Sequence, residues 1–166
     1  MAVTLICAVI MMIGLFLMLL AGVGFIQDKR FFSSAPKQTN DVIPDTKPER
    51  FKGQHAVGWA MAVISIIMMI GAPVFAAVNG IQNDFTFTQF YVRFIIMLLM
   101  VKAFDIGFFD WVLLCNGGLN FFPHFYPETK AVLSRDIFGY NRKTHAAHIL
   151  GGAVALLLLS WICTLF

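Results

Sequence analysis

Six side chains in the second half of the chain are of types that bind ligands, move protons or hold metals: Lys102, Asp105, Asp110, His124, His145 and His148. On an α-helix, residues three apart share a face. Lys102 can therefore neutralise Asp105, and His145 and His148, in Thr144-His-Ala-Ala-His148, can address one metal ion or one anion. At roughly 100° per residue, Asp110 turns about 140° away from Asp105, which argues against two carboxylates on this helix sharing a proton. His124, flanked by Pro123 and Pro127, can join Asp110 and His145 if its segment folds over them. Two or three nitrogens with a carboxylate suit zinc or iron, so a divalent metal is the cofactor that such a cluster would take. A haem would need axial imidazoles on facing elements, for which only His55 and His148 are available.

Each group also has a plainer reading. Lys102 and Asp105 form either an ion pair that fixes helix register or a substrate or proton site. Asp110 beside Trp111 fits an interface anchor, met in solvent by a loop cation. His145 and His148 fit an interfacial pair next to Arg142 and Lys143, and Arg93 fits a snorkelling anchor. The sequence contains no HExxH, no GxSxG and no glycine-rich phosphate loop, and one HxxH falls short of the several extended histidine boxes that a membrane oxygenase would need.

The elements that must position these residues are membrane-spanning. Hydrophobic residues make up 59% of the chain and charged ones 13%, with a mean hydropathy of +0.79; a soluble domain is about 45–50% apolar. Four stretches, 5–26, 55–78, 87–115 and 145–166, are each long enough at about 1.5 Å per residue to cross a hydrocarbon core of about 30 Å. The first lacks the basic flank of a cleaved signal and reads as a retained span. The second should bend near Pro73. Thr86-Phe-Thr-Gln89 has the spacing of a capping box and marks the start of the third, which Asn116-Gly117-Gly118 ends; Thr46-Lys-Pro-Glu49 has the same spacing before the second. Gly151, Gly152, Ala153 and Ala155 give the fourth a small surface for close helix packing. The expected fold is all-α: an integral membrane four-helix bundle in one domain, with a proline-kinked second span and an aromatic-rich interfacial loop between spans three and four. Phe31 and Phe32, beside Asp28-Lys29-Arg30, are expected at headgroup level. Cys7, Cys115 and Cys163 read as buried free thiols, with a Cys7–Cys163 disulfide the one pairing that the topology allows.

Lysine and arginine sit unevenly. Loop 27–54 carries Lys29, Arg30, Lys37, Lys47, Arg50 and Lys52, and loop 116–144 carries Lys130, Arg135, Arg142 and Lys143, while the connection at 79–86 has none. The positive-inside rule then puts both long loops in the cytoplasm and both termini on the non-cytoplasmic side of a plasma or cytoplasmic membrane. All four histidines and both aspartates of the third span fall at the cytoplasmic end. A charge in hydrocarbon costs roughly 2.5–3.5 kcal/mol on insertion scales, so an intramembrane Lys–Asp pair points to function. The leading expectation is a membrane protein that binds or moves a small solute, ion or lipid headgroup, or serves as an accessory subunit. Its partners are the bilayer and a homo-oligomer or larger membrane assembly, not nucleic acid. The alternative is an intramembrane enzyme acting on a lipid or isoprenoid-like substrate at the cytoplasmic leaflet, with Asp105 or Asp110 and His148 as acid, base or metal ligands.

Overall fold

The computed structural model of the chain describes residues 1–32, 35–115 and 119–166. Ser33-Ser34 and the Asn116-Gly117-Gly118 stop signal lie outside them. The chain is all-helical, with no strand among the described residues and one isolated antiparallel bridge between Asp28 and Thr46. The helices are α1 (Ala2–Leu20), α2 (Lys37–Val42), α3 (Gln54–Ile81), α4 (Phe87–Phe104), α5 (Phe121–Phe125) and α6 (Arg142–Cys163). Two of them run on in the wider π form, α1 through Ala21–Ile26 and α4 through Asp105–Cys115.

Among the described residues, three helices are long and apolar enough to cross a membrane: Ala2–Ile26, Gln54–Ile81 and Arg142–Cys163. The remaining long helix, α4 with its π continuation, is comparable in length to α3 but carries Arg93, Lys102, Asp105 and Asp110. α1 lies between α3 and α4, and α6 packs along α4. The α6 contribution to the buried interior is slight, with His145, Ser160 and Cys163 its only buried residues. Gly152 meets Leu98, where a Cβ would come within 3.0 Å of the leucine side chain, whereas a Cβ on Gly151 would stand in open space. Only part of the small face on α6 is therefore used.

Small side chains bring α1 and α3 together. Ala8, Ala72 and Ala76 are buried with Cys7, Phe90 and Phe94 in one cluster, and Ala62 packs with Ala21 and Ile26 in another. Where backbones approach this closely, a hydroxyl can bond across: the buried Ser65 Oγ donates to Gly14 O at 2.6 Å. α3 continues through Pro73 without interruption. Cys7, Cys115 and Cys163 are buried free thiols, as expected.

Both long connections fold over the same end of the helices and pack on each other. The last carbonyls of α1 lack helical partners, and loop 27–54 supplies them: Arg50 Nη2 donates to Gly24 O at 2.6 Å, and Gln54 Nε2 donates to Phe25 O at 2.8 Å. Lys47 Nζ donates to Phe125 O at 3.0 Å, pairs with Glu128 at 2.9 Å and sits 4.3 Å above the Tyr126 ring. Phe32 is 2% exposed and meets the Tyr126 and Phe122 rings edge-on. It is therefore not at the headgroup surface, as expected from its basic neighbours, but in the core of this cap. Burial, followed by the charges of Glu128 and Asp28, pushes the Tyr126 phenol above its ordinary range.

The two capping-box spacings had different fates. Thr86 and Gln89 form the reciprocal box at the start of α4. Thr46 instead bridges to Asp28. Glu49 accepts from the backbone N–H of His55 at 2.9 Å and of Gly53 at 3.2 Å, because Gly53 takes a left-handed φ of 85° and α3 begins only at Gln54. Those two bonds hold the Glu49 carboxyl below its usual range.

The close approach of α1 and α3 makes a testable distinction between two glycines on one helix. A Cβ on Gly58 would lie 2.7 Å from Ile26 Cγ1 and 3.0 Å from the Ile26 backbone nitrogen, whereas one on Gly71 would meet nothing within 4 Å. Gly58→Ala should lower stability in detergent by about 1–3 kcal/mol, as overpacking does. Gly71→Ala should leave it unchanged or raise it by up to about 1 kcal/mol, through helix propensity. Equal melting temperatures for the two variants would contradict this packing.

Candidate functional site

The polar residues converge where the π continuation of α4 meets the first turn of α6. α4 brings in Lys102 on its last turn, and Lys102 Nζ donates to Asp105 Oδ2 at 2.9 Å, the expected pair three residues apart. Beyond Asp105, a π-helix joins residues five apart. The expected angle of about 140° between Asp105 and Asp110, drawn from the α-helical step, is overturned here. Both carboxylates reach His145: its Nε2 lies 2.7 Å from Asp110 Oδ2 and its Nδ1 lies 3.7 Å from Asp105 Oδ2.

Asp110 is not an exposed interface anchor. It is 7% exposed and His145 is 8% exposed. A buried carboxylate needs donors, and Asp110 has two, His145 Nε2 and Asn141 Nδ2, the latter at 3.1 Å. His145 Nδ1 faces Asp105 Oδ2 across 3.7 Å. That Nδ1 is buried and without a hydrogen bond, as is Asn141 Oδ1.

These groups line one wall of a cavity of about 580 Å³. Lys102, Asp105, Asp110, Asn141, His145 and His148 are its polar residues, with Phe109 and Leu114 beside them on the π continuation of α4; Leu19, Val23, Phe31, Phe32 and Phe122 form an apolar wall supplied by α1 and the two loops. Tyr140 also lines it, and burial, followed by the charges of Asp110 and Asp105, pushes its phenol above the ordinary range. Asn141, Tyr140 and the apolar wall were not singled out from sequence. Asn141 precedes the first turn of α6, four residues before His145, and is legible only once that helix start is known.

His145 and His148 do not act as a pair. His148 Nδ1 stands 3.5 Å from Lys102 Nζ, and His145 is committed to Asp110. His124 is exposed, stacked edge-on against Phe125, and does not line the cavity. His55 sits by Glu49, also away from it. Among the described residues, no group of three or more His, Cys, Asp or Glu is placed to hold a metal ion. No such set is therefore available among them to the divalent metal expected at His124, His145 and His148. Arg93, expected to snorkel, is instead 4% exposed.

The Asp110–His145 contact is the main polar tie between α4 and α6. Removing one partner of a buried pair leaves the other uncompensated. Asp110→Ala and His145→Ala should each destabilise the protein in detergent by about 3 kcal/mol, with the double variant little worse than either single one. Additive losses in thermal or chemical unfolding would show that the two side chains are not coupled. Comparison with protein families, curated proteins and solved structures finds no match to this chain, so its function has to be argued from the site itself.

Proposed function

We propose that this is a four-span integral membrane protein that binds the polar end of a small amphiphile in the cavity beneath its cap. The observation that carries the reading is the mixed lining of that cavity: apolar side chains from α1 and the two loops stand with Lys102, Asp105, Asp110, Asn141, His145 and His148, and both Asn141 and His145 hold a buried polar atom without a hydrogen bond. The apolar side chains suit a chain or ring, and the carboxylates and the Asn141 carbonyl suit a hydroxyl or amine. Two carboxylates against one lysine disfavour a phosphate or carboxylate head. Binding is favoured over transport because the cavity is confined to the capped end of the helices. A co-purifying amphiphile tests this directly. Lipid extraction and mass spectrometry of the detergent-purified chain should find about one hydroxyl- or amine-headed amphiphile per chain, enriched over bulk lipid and lost from Ala35→Trp, which fills the apolar side. Recovery of bulk lipid alone from the unaltered chain would count against the reading.

One observation favours the enzyme alternative. A carboxylate that fixes an imidazole through one nitrogen leaves the other as a general base, the relation of Asp110 to His145. Under that reading the bound amphiphile is turned over, and His145→Ala retains it unchanged.

The fourth span in this reading is α4 with its π continuation, in which Lys102 pairs with Asp105 and His145 of α6 meets Asp110. The lysines and arginines of both long loops favour a cytoplasmic cap. A single cysteine introduced at Lys37 or Lys130, in a background without the native thiols, should react in intact cells only with a membrane-permeant maleimide. Labelling by an impermeant one would reverse the orientation.

A further inference from the structure

At the opposite end of the helices a second buried charge has no counter-charge. Arg93, on α4, is 4% exposed. Its Nη1 donates to Ala76 O, in the last turns of α3, at 2.6 Å, and its guanidinium lies 4.1 Å from the centre of the Phe85 ring. No ion pair among the described residues includes it, and its Nε is buried without a partner. A guanidinium stays protonated in any protein environment and carries five donors in a planar fork. One carbonyl and one ring face leave most of that fork and the net charge unanswered.

The same side chain lines a cavity of about 220 Å³, into which three further donor-bearing residues face. Thr4 comes from α1, and Thr88 and Gln89 come from the first turn of α4. The Gln89 side-chain oxygen is taken by the Thr86 backbone N–H, at 2.8 Å, leaving its amide nitrogen outside the capping box. The positive end of the α4 dipole lies at the same place. Val92, Ile96 and Phe85 supply an apolar border.

We propose that Arg93, with Thr4, Thr88 and Gln89, forms a binding site for a single oxyanion at the uncapped end of the helices, with a lipid phosphate or a free phosphate as its occupant. The fork matches two oxygens of such a group, and a low-dielectric setting strengthens the pairing. Arg93 lies six residues into α4, about 9 Å along the axis from Phe87, a depth that a phosphate at the edge of the hydrocarbon can reach. The site is independent of the cavity beneath the cap.

The test uses the full chain in dodecyl maltoside and reads the shift of the thermal midpoint on titration. The probes are dioleoylphosphatidylglycerol, dioleoylglycerol, which lacks the phosphate, and inorganic phosphate. The phosphatidylglycerol should raise the midpoint saturably and dioleoylglycerol should not, and Arg93→Gln should raise the half-saturating concentration at least about tenfold. Val92→Trp, which fills the cavity mouth while keeping the arginine, should do the same, and decides the matter if Arg93→Gln does not fold. Ala35→Trp, at the cap, should respond like the unaltered chain. A shift with inorganic phosphate would identify a free anion as a competent occupant, and a shift with the lipid alone would identify a headgroup. No shift with either, or a Val92→Trp response equal to that of the unaltered chain, would overturn the site.

Discussion

From Asp105 onward the backbone of the third long helix changes from bonds four residues apart to bonds five apart, and the polar cavity follows from that change. On an α-helical step Asp110 would turn well away from Asp105. On the π step Asp110 turns back toward the side of Asp105, and the first turn of α6 places one imidazole 2.7 Å from Asp110 and 3.7 Å from Asp105. The wider helix has a poorer hydrogen-bond register, and a buried carboxylate is costly in a low dielectric. Two donors on Asp110 offset that cost, and both come from α6 or the residue before it. The docking of α6 and the π form of α4 therefore depend on each other: without Asn141 and His145, Asp110 would be better served by facing water.

The same constraint governs the cap. A helix that ends at the edge of an apolar region leaves carbonyls unbonded. α1 ends in a π turn and a left-handed Gln27, with Gly24 and Phe25 oxygens directed toward loop 27–54. Arg50 and Gln54 meet them, and Lys47 meets the end of α5 and Glu128. Basic residues that the sequence offers as an orientation signal are thus also structural ties between the two loops. Once tied, the loops carry Phe32 and Phe122 over the polar wall as an apolar lid, and the cavity becomes amphipathic. Neither loop has enough regular structure to do this alone.

What could be read from the sequence was what depends on nearby residues. The apolar stretches were legible because each is an unbroken apolar run of a length that would cross a bilayer, and the observed helix ends fall within a few residues of the expected ones. The Thr86–Gln89 box and the Lys102–Asp105 pair were legible because both partners lie within one turn. The π step was not, since no residue type specifies it, and with it went the relation of Asp105 to Asp110. Thr46–Glu49 misled because the helix starts only after Gly53, about two turns later, and the glutamate goes to other N–H groups. Arg93 misled for a different reason: snorkelling assumes a free path to water, and Ala76 O and the Phe85 ring hold the side chain inside.

Each end of the molecule is left with a hydrogen-bonding deficit. Under the cap, His145 Nδ1 and Asn141 Oδ1 are buried without a hydrogen bond; at the other end, Arg93 Nε is, and its charge has no anion. In water either deficit would be met at once by solvent, and neither would carry information. In an apolar setting each costs roughly 1–3 kcal/mol, and more where the group is charged, so stability alone would favour an apolar replacement. The residues that carry them also line the two cavities. On the proposals above, a hydroxyl or amine would meet the deficit under the cap and an oxyanion the one beside Arg93. The long helices between these cavities are tied by packing of small residues and by few polar bonds, of which Ser65 to Gly14 is one. The arrangement thus places these polar groups at the two ends of the helices and leaves their middle mainly to van der Waals contact.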